Sequence, residues 1–250
     1  MMSEHILFKD SVISDLLHVA MYYENNVALK IKRFQLTYGE LFNYAKNVAQ
    51  LIQHNQDSKS IILAKRNAAA YIALLGSMLA GKTYLFLNTK DKQEKLEDTI
   101  AKLKPCLLIV DRYNFERIEF FLSRLKISVQ CVVIESDGKT LNYIKKNKEN
   151  SLIESTTELD VYMPPHYISN IVYIMFTSGS TGVPKKIPIT HHNLRAFLNN
   201  IIDRIRPNQA DVFSQINELT FDFSVYDIFT CWSVGACLCV LPDNYVLSID

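Results

Sequence analysis

The chain is 250 residues long, with 48% hydrophobic residues, 21% charged residues, seven glycines and seven prolines. This composition excludes a disordered chain, a collagen-like repeat and a small disulfide framework, and it predicts a globular protein. The 27 basic and 26 acidic residues leave a formal charge of +1, so no overall field favours nucleic acid or an anionic membrane as a partner.

The cysteines and the N-terminus predict a soluble, cytoplasmic protein. The five cysteines are odd in number, lie mostly in apolar runs and show no paired CxxC spacing of a metal site. The first residues lack the continuous apolar stretch of a signal peptide. The longest apolar run, residues 229–241, is shorter than the roughly 20 residues needed to cross a bilayer.

The first half of the chain alternates between helical and strand patterns. Apolar residues at helical spacing predict helices from Leu41 to Ile52, from Tyr71 to Leu79, around Ile100 and around Ile118. Short apolar runs between them predict buried strands at residues 61–64, 83–87, 106–110 and 129–134. This alternation predicts an α/β fold of layered, mostly parallel sheets covered by helices.

Residues 135–170 interrupt this alternation because they are rich in Lys, Asn, Glu, Ser and Thr. We expect a surface excursion here, with the basic run from Lys139 to Lys148 as a solvated loop face. The α/β pattern resumes with an apolar strand at residues 171–176.

The segment TSGSTGVPK, from Thr177 to Lys185, follows that strand directly. Small residues allow backbone N–H groups to approach an anion, hydroxyls donate to its oxygens, and a lysine adds positive charge, so the segment predicts a phosphate-binding loop. A Walker A loop is excluded, because Pro184 and Lys186 stand where glycine and a hydroxyl residue are needed. A flexible loop without a ligand is the alternative. A further strand near Ile187 and a helix from Leu194 to Ile205 are expected next.

Four segments together carry a resemblance to a known family. YIMFTSGSTGVPKKIPITHHNL, from Tyr173, closely resembles the signature loop of the adenylate-forming superfamily, which comprises acyl-CoA synthetases, amino-acid-activating domains of nonribosomal peptide synthetases, and luciferases. QLTYGELFNYAKNVAQLI, from Gln35, and MLAGKTYLFLN, from Met78, are similar to earlier motifs of that family. TFDFSVYDIF, from Thr220, is similar to the acid-pocket motif of the amino-acid-activating branch. The resemblance implies that residues 1–250 form the N-terminal core of an AMP-binding (adenylation) domain, incomplete at its C-terminus.

In such enzymes a carboxylate attacks the α-phosphate of ATP, giving an acyl-adenylate and pyrophosphate. The resemblance therefore implies ATP and Mg²⁺ as cofactors, a carboxylic acid, here an amino acid, as substrate, and the phosphopantetheine thiol of a carrier protein or of coenzyme A as acceptor. The ATP-phosphate-binding positions that it implies are Thr177, Ser178, Gly179, Ser180, Thr181, Gly182 and Lys185.

The same resemblance implies that Asp222 pairs with the α-ammonium of an amino acid and that Phe223 and Tyr226 line the side-chain pocket. Two aromatic residues favour a small, flat or partly apolar acid. The alternatives are that Asp222 or Ser224 caps the following helix and that the two aromatic residues belong to the core. We interpret His191 and His192 as helix-entry packing and capping residues rather than as acid–base or metal groups.

The sequence departs from the family pattern at Lys186, where glycine is usual, and at Phe86, where proline is common. The lid with its catalytic lysine is absent from these residues, so the catalytic residue stays unassigned and we expect the chain alone to adenylate poorly or not at all. No metal ligand is predicted. An acyl- or aryl-CoA synthetase and a non-catalytic nucleotide- or carrier-binding module remain as alternative functions.

Overall fold

The computed structural model describes residues 11–125, 128–135, 141–146, 152–155, 169–177 and 185–242. The chain divides into two compact units. The first unit comprises Met1–Asn43 and Asn170–Asp250, and the second comprises Tyr44–Ser169. Among the helices of the described ranges, none combines the length and the apolar character that a membrane span requires.

The described residues form seven helices and twelve strands. The helices are α1 (Val12–Tyr22), α2 (Tyr38–Ile52), α3 (Ala68–Leu79), α4 (Gln93–Leu103), α5 (Arg112–Arg124), α6 (His191–Ile205) and α7 (Asp222–Trp232). The strands are β1 (Val27–Ile31), β2 (Phe34–Thr37), β3 (Lys59–Leu63), β4 (Thr83–Phe86), β5 (Leu107–Asp111), β6 (Val129–Ile134), β7 (Leu141–Lys146), β8 (Leu152–Ser155), β9 (Ile171–Thr177), β10 (Lys185–Thr190), β11 (Val212–Gln215) and β12 (Cys237–Val240).

The second unit contains the parallel sheet that the sequence predicts. Its strands are hydrogen-bonded in the order β4-β3-β5-β6-β7-β8. The first four run parallel, and β7 and β8 continue the sheet antiparallel. Strands β4 and β5 are buried along their whole length, and so is helix α3, which explains their almost uninterrupted apolar sequences. The predicted α/β class and its parallel core are confirmed.

The prediction that the basic run from Lys139 to Lys148 is a loop is wrong over Leu141–Lys146, which is a strand. Leu152–Ser155 is a further strand within the predicted surface excursion at residues 135–170. The reason is tertiary: β7 pairs along the full length of the buried strand β6. Glu135 forms an ion pair with Arg112. The same carboxylate accepts a hydrogen bond from Asn142 Nδ2 at 2.6 Å, and this bond holds the start of β7 in place.

The first unit holds a second sheet in the order β11-β12-β1-β2. Strand β12 is parallel to both of its neighbours, and β1 and β2 are antiparallel. Two buried aromatic residues fasten this sheet to helices. Trp232 of α7 donates its Nε1–H to the carbonyl of Ala28 at 3.0 Å, and the Tyr38 hydroxyl donates to the carbonyl of Ala236 at 2.7 Å. The last turn of α7 is thereby fixed to β1.

Candidate functional site

The two ends of the predicted phosphate-binding loop are held side by side. Strands β9 and β10 pair antiparallel, and Thr177 at the end of β9 stands opposite Lys185 at the start of β10. The Lys185 side chain is exposed. Backbone pairing of β9 with β10 therefore brings the two ends of the predicted loop together, and Lys185 places a cationic side chain at its C-terminal end.

The remaining predicted phosphate-binding residues, Ser178, Gly179, Ser180, Thr181 and Gly182, lie outside the described residues, as does the Thr177 side chain. Their contact with phosphate stays a prediction. The strand expected near Ile187 is confirmed as β10, and the helix expected from Leu194 is confirmed as α6.

Asp222 is the first residue of helix α7, and its side chain is exposed. The N-cap position belongs to Phe221, and no side-chain cap hydrogen bond is formed there. Ser224 does not cap the helix either, since its Oγ donates to the Phe221 carbonyl at 2.6 Å. Among the described residues, the Asp222 carboxylate has no hydrogen-bond or ion-pair partner. Capping therefore does not account for the aspartate.

The helix favours a charged carboxylate at this position. The first turn of a helix presents unpaired N–H groups and the positive end of the helix dipole, which stabilises a negative charge there. Asp222 is the acidic residue of that first turn. Its exposed carboxylate is consequently available to a cationic group of a ligand.

The two predicted pocket residues share one face of α7 with Asp222. Tyr226 lies four residues after Asp222 and three after Phe223, the spacings that bring side chains together on a helix. Phe223 is 65% exposed, so the alternative that it is a core residue is wrong. Tyr226 is half-buried, and its ring lies 6.4 Å from the ring of Phe197 of α6, with the planes at 73°.

Tyr173 connects this helix face with the strand that enters the phosphate loop. It lies buried on β9, and its pKa is raised to about 12, first by burial and then by the charge of Asp222. The Asp222 carboxylate therefore lies within electrostatic reach of β9. The sequence shows Tyr173 as a strand residue of the signature loop, but nothing in its spacing indicates the proximity to Asp222.

The segment before α7 is fixed by a buried polar network that the motifs do not reveal. Asp227 of α7 is buried and accepts a hydrogen bond from Asn217 Nδ2 at 3.3 Å. Burial raises the pKa of Asp227. The carbonyl of Asn217 accepts in turn from Gln215 at the end of β11. These bonds hold the polypeptide between β11 and Asp222.

The two histidines that follow the loop stand at the start of α6. His191 is buried, and its Nδ1 accepts a hydrogen bond from the Val12 N–H at 3.3 Å, so the predicted packing role is confirmed. The capping role belongs to Thr190, which forms a reciprocal capping box with Asn193. His192 is exposed. Within the described ranges, no group of three or more His, Cys, Asp or Glu side chains is placed to hold a metal ion.

Comparison with known proteins agrees with the motifs. The model of the family described as AMP-binding enzyme matches residues 16–248. The chain is 25% identical over 213 residues to the nonribosomal peptide synthetase cm3A of Cordyceps militaris, covering 84% of this chain and 4% of that protein. It is 26% identical over 220 residues to zwittermicin A synthase ZmaJ of Bacillus cereus, covering 87% of this chain and 38% of that protein.

Solved structures show the same architecture. The Vibrio cholerae adenylation domain AlmE, in complex with glycyl-adenosine-5′-phosphate, superposes with a TM-score of 0.76 and 26% identity, covering 95% of this chain and 46% of that chain. The Klebsiella oxytoca NpsA N-terminal subdomain, at a TM-score of 0.67 and 21% identity, covers 95% of this chain and 56% of that chain and shares the fold.

The chain spans between 3% and 38% of the length of the curated relatives that it matches, several of which are nonribosomal peptide synthetases. These matches confirm the predicted resemblance to the amino-acid-activating branch of the adenylate-forming superfamily, and the chain belongs to the AMP-binding enzyme family.

Proposed function

We propose that the chain supplies the acid-binding and ATP-phosphate-binding elements of an enzyme that activates an amino acid as its adenylate. The observation that carries this proposal is the Asp222 carboxylate, which is exposed and without a partner among the described residues at the first position of α7. An α-ammonium group is the complementary ligand. A charge-assisted contact of this kind distinguishes amino acids from acids that lack the amine.

The phosphates of ATP belong, in this proposal, at the β9–β10 hairpin. Lys185 stands exposed at the exit of the loop, where its ammonium group neutralises phosphate charge. Thr177, Ser178, Gly179, Ser180, Thr181 and Gly182 complete the predicted cradle. Mg²⁺ is commonly bound through phosphate oxygens with only one or two protein ligands, and in this proposal it accompanies ATP. Bound there, the ion supplies neutralisation of phosphate charge.

The proposed reaction follows from these two anchors. The carboxylate of the amino acid attacks the α-phosphorus of ATP, and pyrophosphate leaves. Asp222 holds the amine end of the acid while Lys185 and the loop hold the leaving phosphates, so this part of the enzyme acts mainly by positioning. The acyl group then passes to a thiol and AMP is released. Similarity to nonribosomal peptide synthetases favours a carrier-protein phosphopantetheine over coenzyme A as that thiol.

Ligand-observed saturation-transfer NMR tests the proposal on this chain in the presence of ATP and Mg²⁺. We expect free amino acids to bind and their N-acetyl derivatives, which lack the ammonium charge, not to bind. Asp222→Ala should weaken amino-acid binding about tenfold or more, the range of a hydrogen bond to a charged group. Asp203→Ala, which removes an exposed aspartate of α6, is the matched control and should leave binding unchanged.

Two results would favour other functions. Binding of aryl or fatty acids that is insensitive to Asp222→Ala would support an acyl- or aryl-CoA synthetase. Binding of ATP without any acid would support a nucleotide-binding module. The assignment of residues 1–250 to an N-terminal adenylation core, the poor adenylation expected of the chain alone, and the cytoplasmic location stay predictions.

A further inference from the structure

Phe197 lies on the apolar face predicted for α6, yet only part of that face serves the core. Its neighbours Leu194 and Leu198 are buried, at 2% and 5% exposure. Phe197 is 41% exposed. A phenylalanine at a core-facing helix position that keeps this much exposed surface contributes less to the core than its sequence pattern suggests.

The Phe197 ring has one aromatic neighbour among the described residues, and that neighbour is a predicted pocket residue. Its centroid lies 6.4 Å from that of Tyr226, and the planes meet at 73°, the edge-to-face arrangement that aromatic pairs prefer. The two rings come from different helices, α6 and α7. They form a corner whose position is fixed by the packing of both helices, and we call it the aromatic corner.

The aromatic corner lies close to the proposed ammonium anchor. Tyr226 is four residues after Asp222, a rise of about 6 Å along the helix. Both side chains occupy the same face of α7. An amino acid whose ammonium group pairs with Asp222 can therefore place its own side chain against Tyr226 and Phe197. Phe223, next to Asp222 in the sequence, is 65% exposed.

We propose that Phe197 is a specificity-determining residue that limits the length of the substrate side chain, so that the enzyme selects amino acids with short apolar side chains. This inference rests on the proposed function, because it places the amine at Asp222. The Phe197 and Tyr226 rings offer apolar surface, which disfavours charged and strongly polar side chains. In this proposal the Phe197 ring limits how far a substrate side chain extends from Asp222.

An exposed phenylalanine can instead mark a surface that binds another protein. Ile205 provides the comparison, because it is also on α6, is 45% exposed and lies two turns beyond Phe197, about 12 Å along the helix. Removal of either side chain would weaken a protein interface. Only removal of Phe197 would change the order in which amino acids bind.

The test compares wild type, Phe197→Ala, Phe197→Leu and Ile205→Ala by the same NMR method, with ATP and Mg²⁺ present. The ligands are glycine, alanine, valine, leucine and phenylalanine, and circular dichroism verifies that each variant is folded. We expect wild type to prefer short side chains. Phe197→Ala should improve leucine or phenylalanine relative to alanine by about tenfold, the usual effect of pocket size on selectivity. The selectivity of Phe197→Leu should lie between those of wild type and Phe197→Ala. Ile205→Ala should keep the wild-type order of amino-acid affinities.

Each opposing result has a distinct meaning. If amino acids bind in an Asp222-dependent manner and Phe197→Ala leaves their order unchanged, the role of Phe197 is refuted while the proposed function stands. If wild type prefers phenylalanine and Phe197→Ala weakens phenylalanine binding, the Phe197 ring contacts the substrate side chain without limiting its length, and the size limit is refuted. If no amino acid binds to wild type, the proposed function and the role of Phe197 both fail.

Discussion

The stability of the first unit should depend on pH through His191. Its Nδ1 accepts a hydrogen bond from the Val12 N–H, which requires that this nitrogen carry no proton. Burial, followed by the nearby Arg195 guanidinium, lowers the pKa of His191 from its ordinary value of 6.5 to about 4. Arg195 itself is paired with Asp15 of α1 at 2.8 Å and donates to the Ser11 carbonyl. The neutral imidazole is thus part of the attachment of α1 to α6.

The sign and the size follow from proton linkage. Between pH 4 and pH 6.5 the unfolded state binds more protons at this residue than the folded state, so the free energy of unfolding falls as the pH falls. Above pH 6.5 His191 is mostly neutral in both states, so it no longer changes the free energy of unfolding as the pH rises. Lowering the pH from 7 to 5 should cost about 2 kcal/mol through His191, calculated from the two pKa values.

Urea unfolding measures this effect, with the fluorescence of Trp232 as the signal. Trp232 is the single tryptophan of the sequence and is buried in the same unit as His191. The informative variant is His191→Gln, because glutamine keeps an acceptor for the Val12 N–H and does not titrate. We expect its free energy of unfolding to change by about 2 kcal/mol less than that of wild type between pH 7 and pH 5. His192→Gln, at the exposed neighbouring position, should behave as wild type.

The reasoning would be refuted if His191→Gln and wild type lost the same stability on acidification. A direct measurement is the NMR titration of the imidazole ring. A His191 resonance that titrates near pH 6.5 in the folded protein would show that its burial and its bond to Val12 do not disfavour the charged form.

Two further predictions concern the second unit. Asp111 is buried and accepts four hydrogen bonds of 2.8 to 2.9 Å, from the Lys65 N–H, Asn67 Nδ2, and the N–H and Nδ2 of Asn114. Asp111→Ala should therefore lower the free energy of unfolding by about 3 kcal/mol, because it leaves these donors unpaired. Urea unfolding followed by circular dichroism checks this value, with the exposed Asp98→Ala as control, and a loss no larger than the control's would contradict it. Gly76→Ala should cost about 1–3 kcal/mol, because a Cβ there would lie 2.7 Å from Val48 Cβ and Cγ1. Adding Val48→Gly, which removes both clashing carbons, should recover part of that loss if the clash is its cause, and a purely additive double variant would show that it is not.

The parallel core could be predicted because its buried strands and helices have almost uninterrupted apolar sequences. Strand β6 was expected at residues 129–134 and spans Val129–Ile134, since every position but one faces the interior and is apolar. Helix α3 was expected from Tyr71 and begins at Ala68, where Asn67 accepts the cap hydrogen bond from the Ala70 N–H. A run of three alanines carries no periodicity, so the pattern places the body of the helix and not its first turn.

Three of the strands that the sequence did not predict, β7, β8 and β11, share a physical cause. Strands β7 and β8 have mixed polar and apolar sequences, and β7 owes its conformation to backbone pairing with β6. Strand β11 has the burial pattern of a sheet edge, with Val212 66% exposed and only Gln215 fully buried. Such strands gain their stability from backbone pairing with a neighbouring strand, and the apolar pattern of a single segment does not reveal that pairing.

The candidate site was predictable to the extent that it lies on one helix. Spacing alone places Asp222, Phe223 and Tyr226 on a common face of α7, and the motif resemblance gives them roles. The contact of Phe197 with Tyr226 and the reach of the Asp222 charge to Tyr173 join segments that are separated in the sequence. These relations depend on how α6, α7 and β9 pack, which no spacing rule encodes.

The construction of α7 explains why an exposed carboxylate at its start is suited to recognition. The body of the helix is buried, and its last residue, Trp232, is bonded to β1 through the Ala28 carbonyl. Asp227 holds the preceding segment through Asn217. Asp222 therefore extends from a rigid element that is fixed at both ends, while its own side chain stays exposed. A ligand that binds there need not order the backbone, so more of the energy of the ion pair is available as affinity and selectivity.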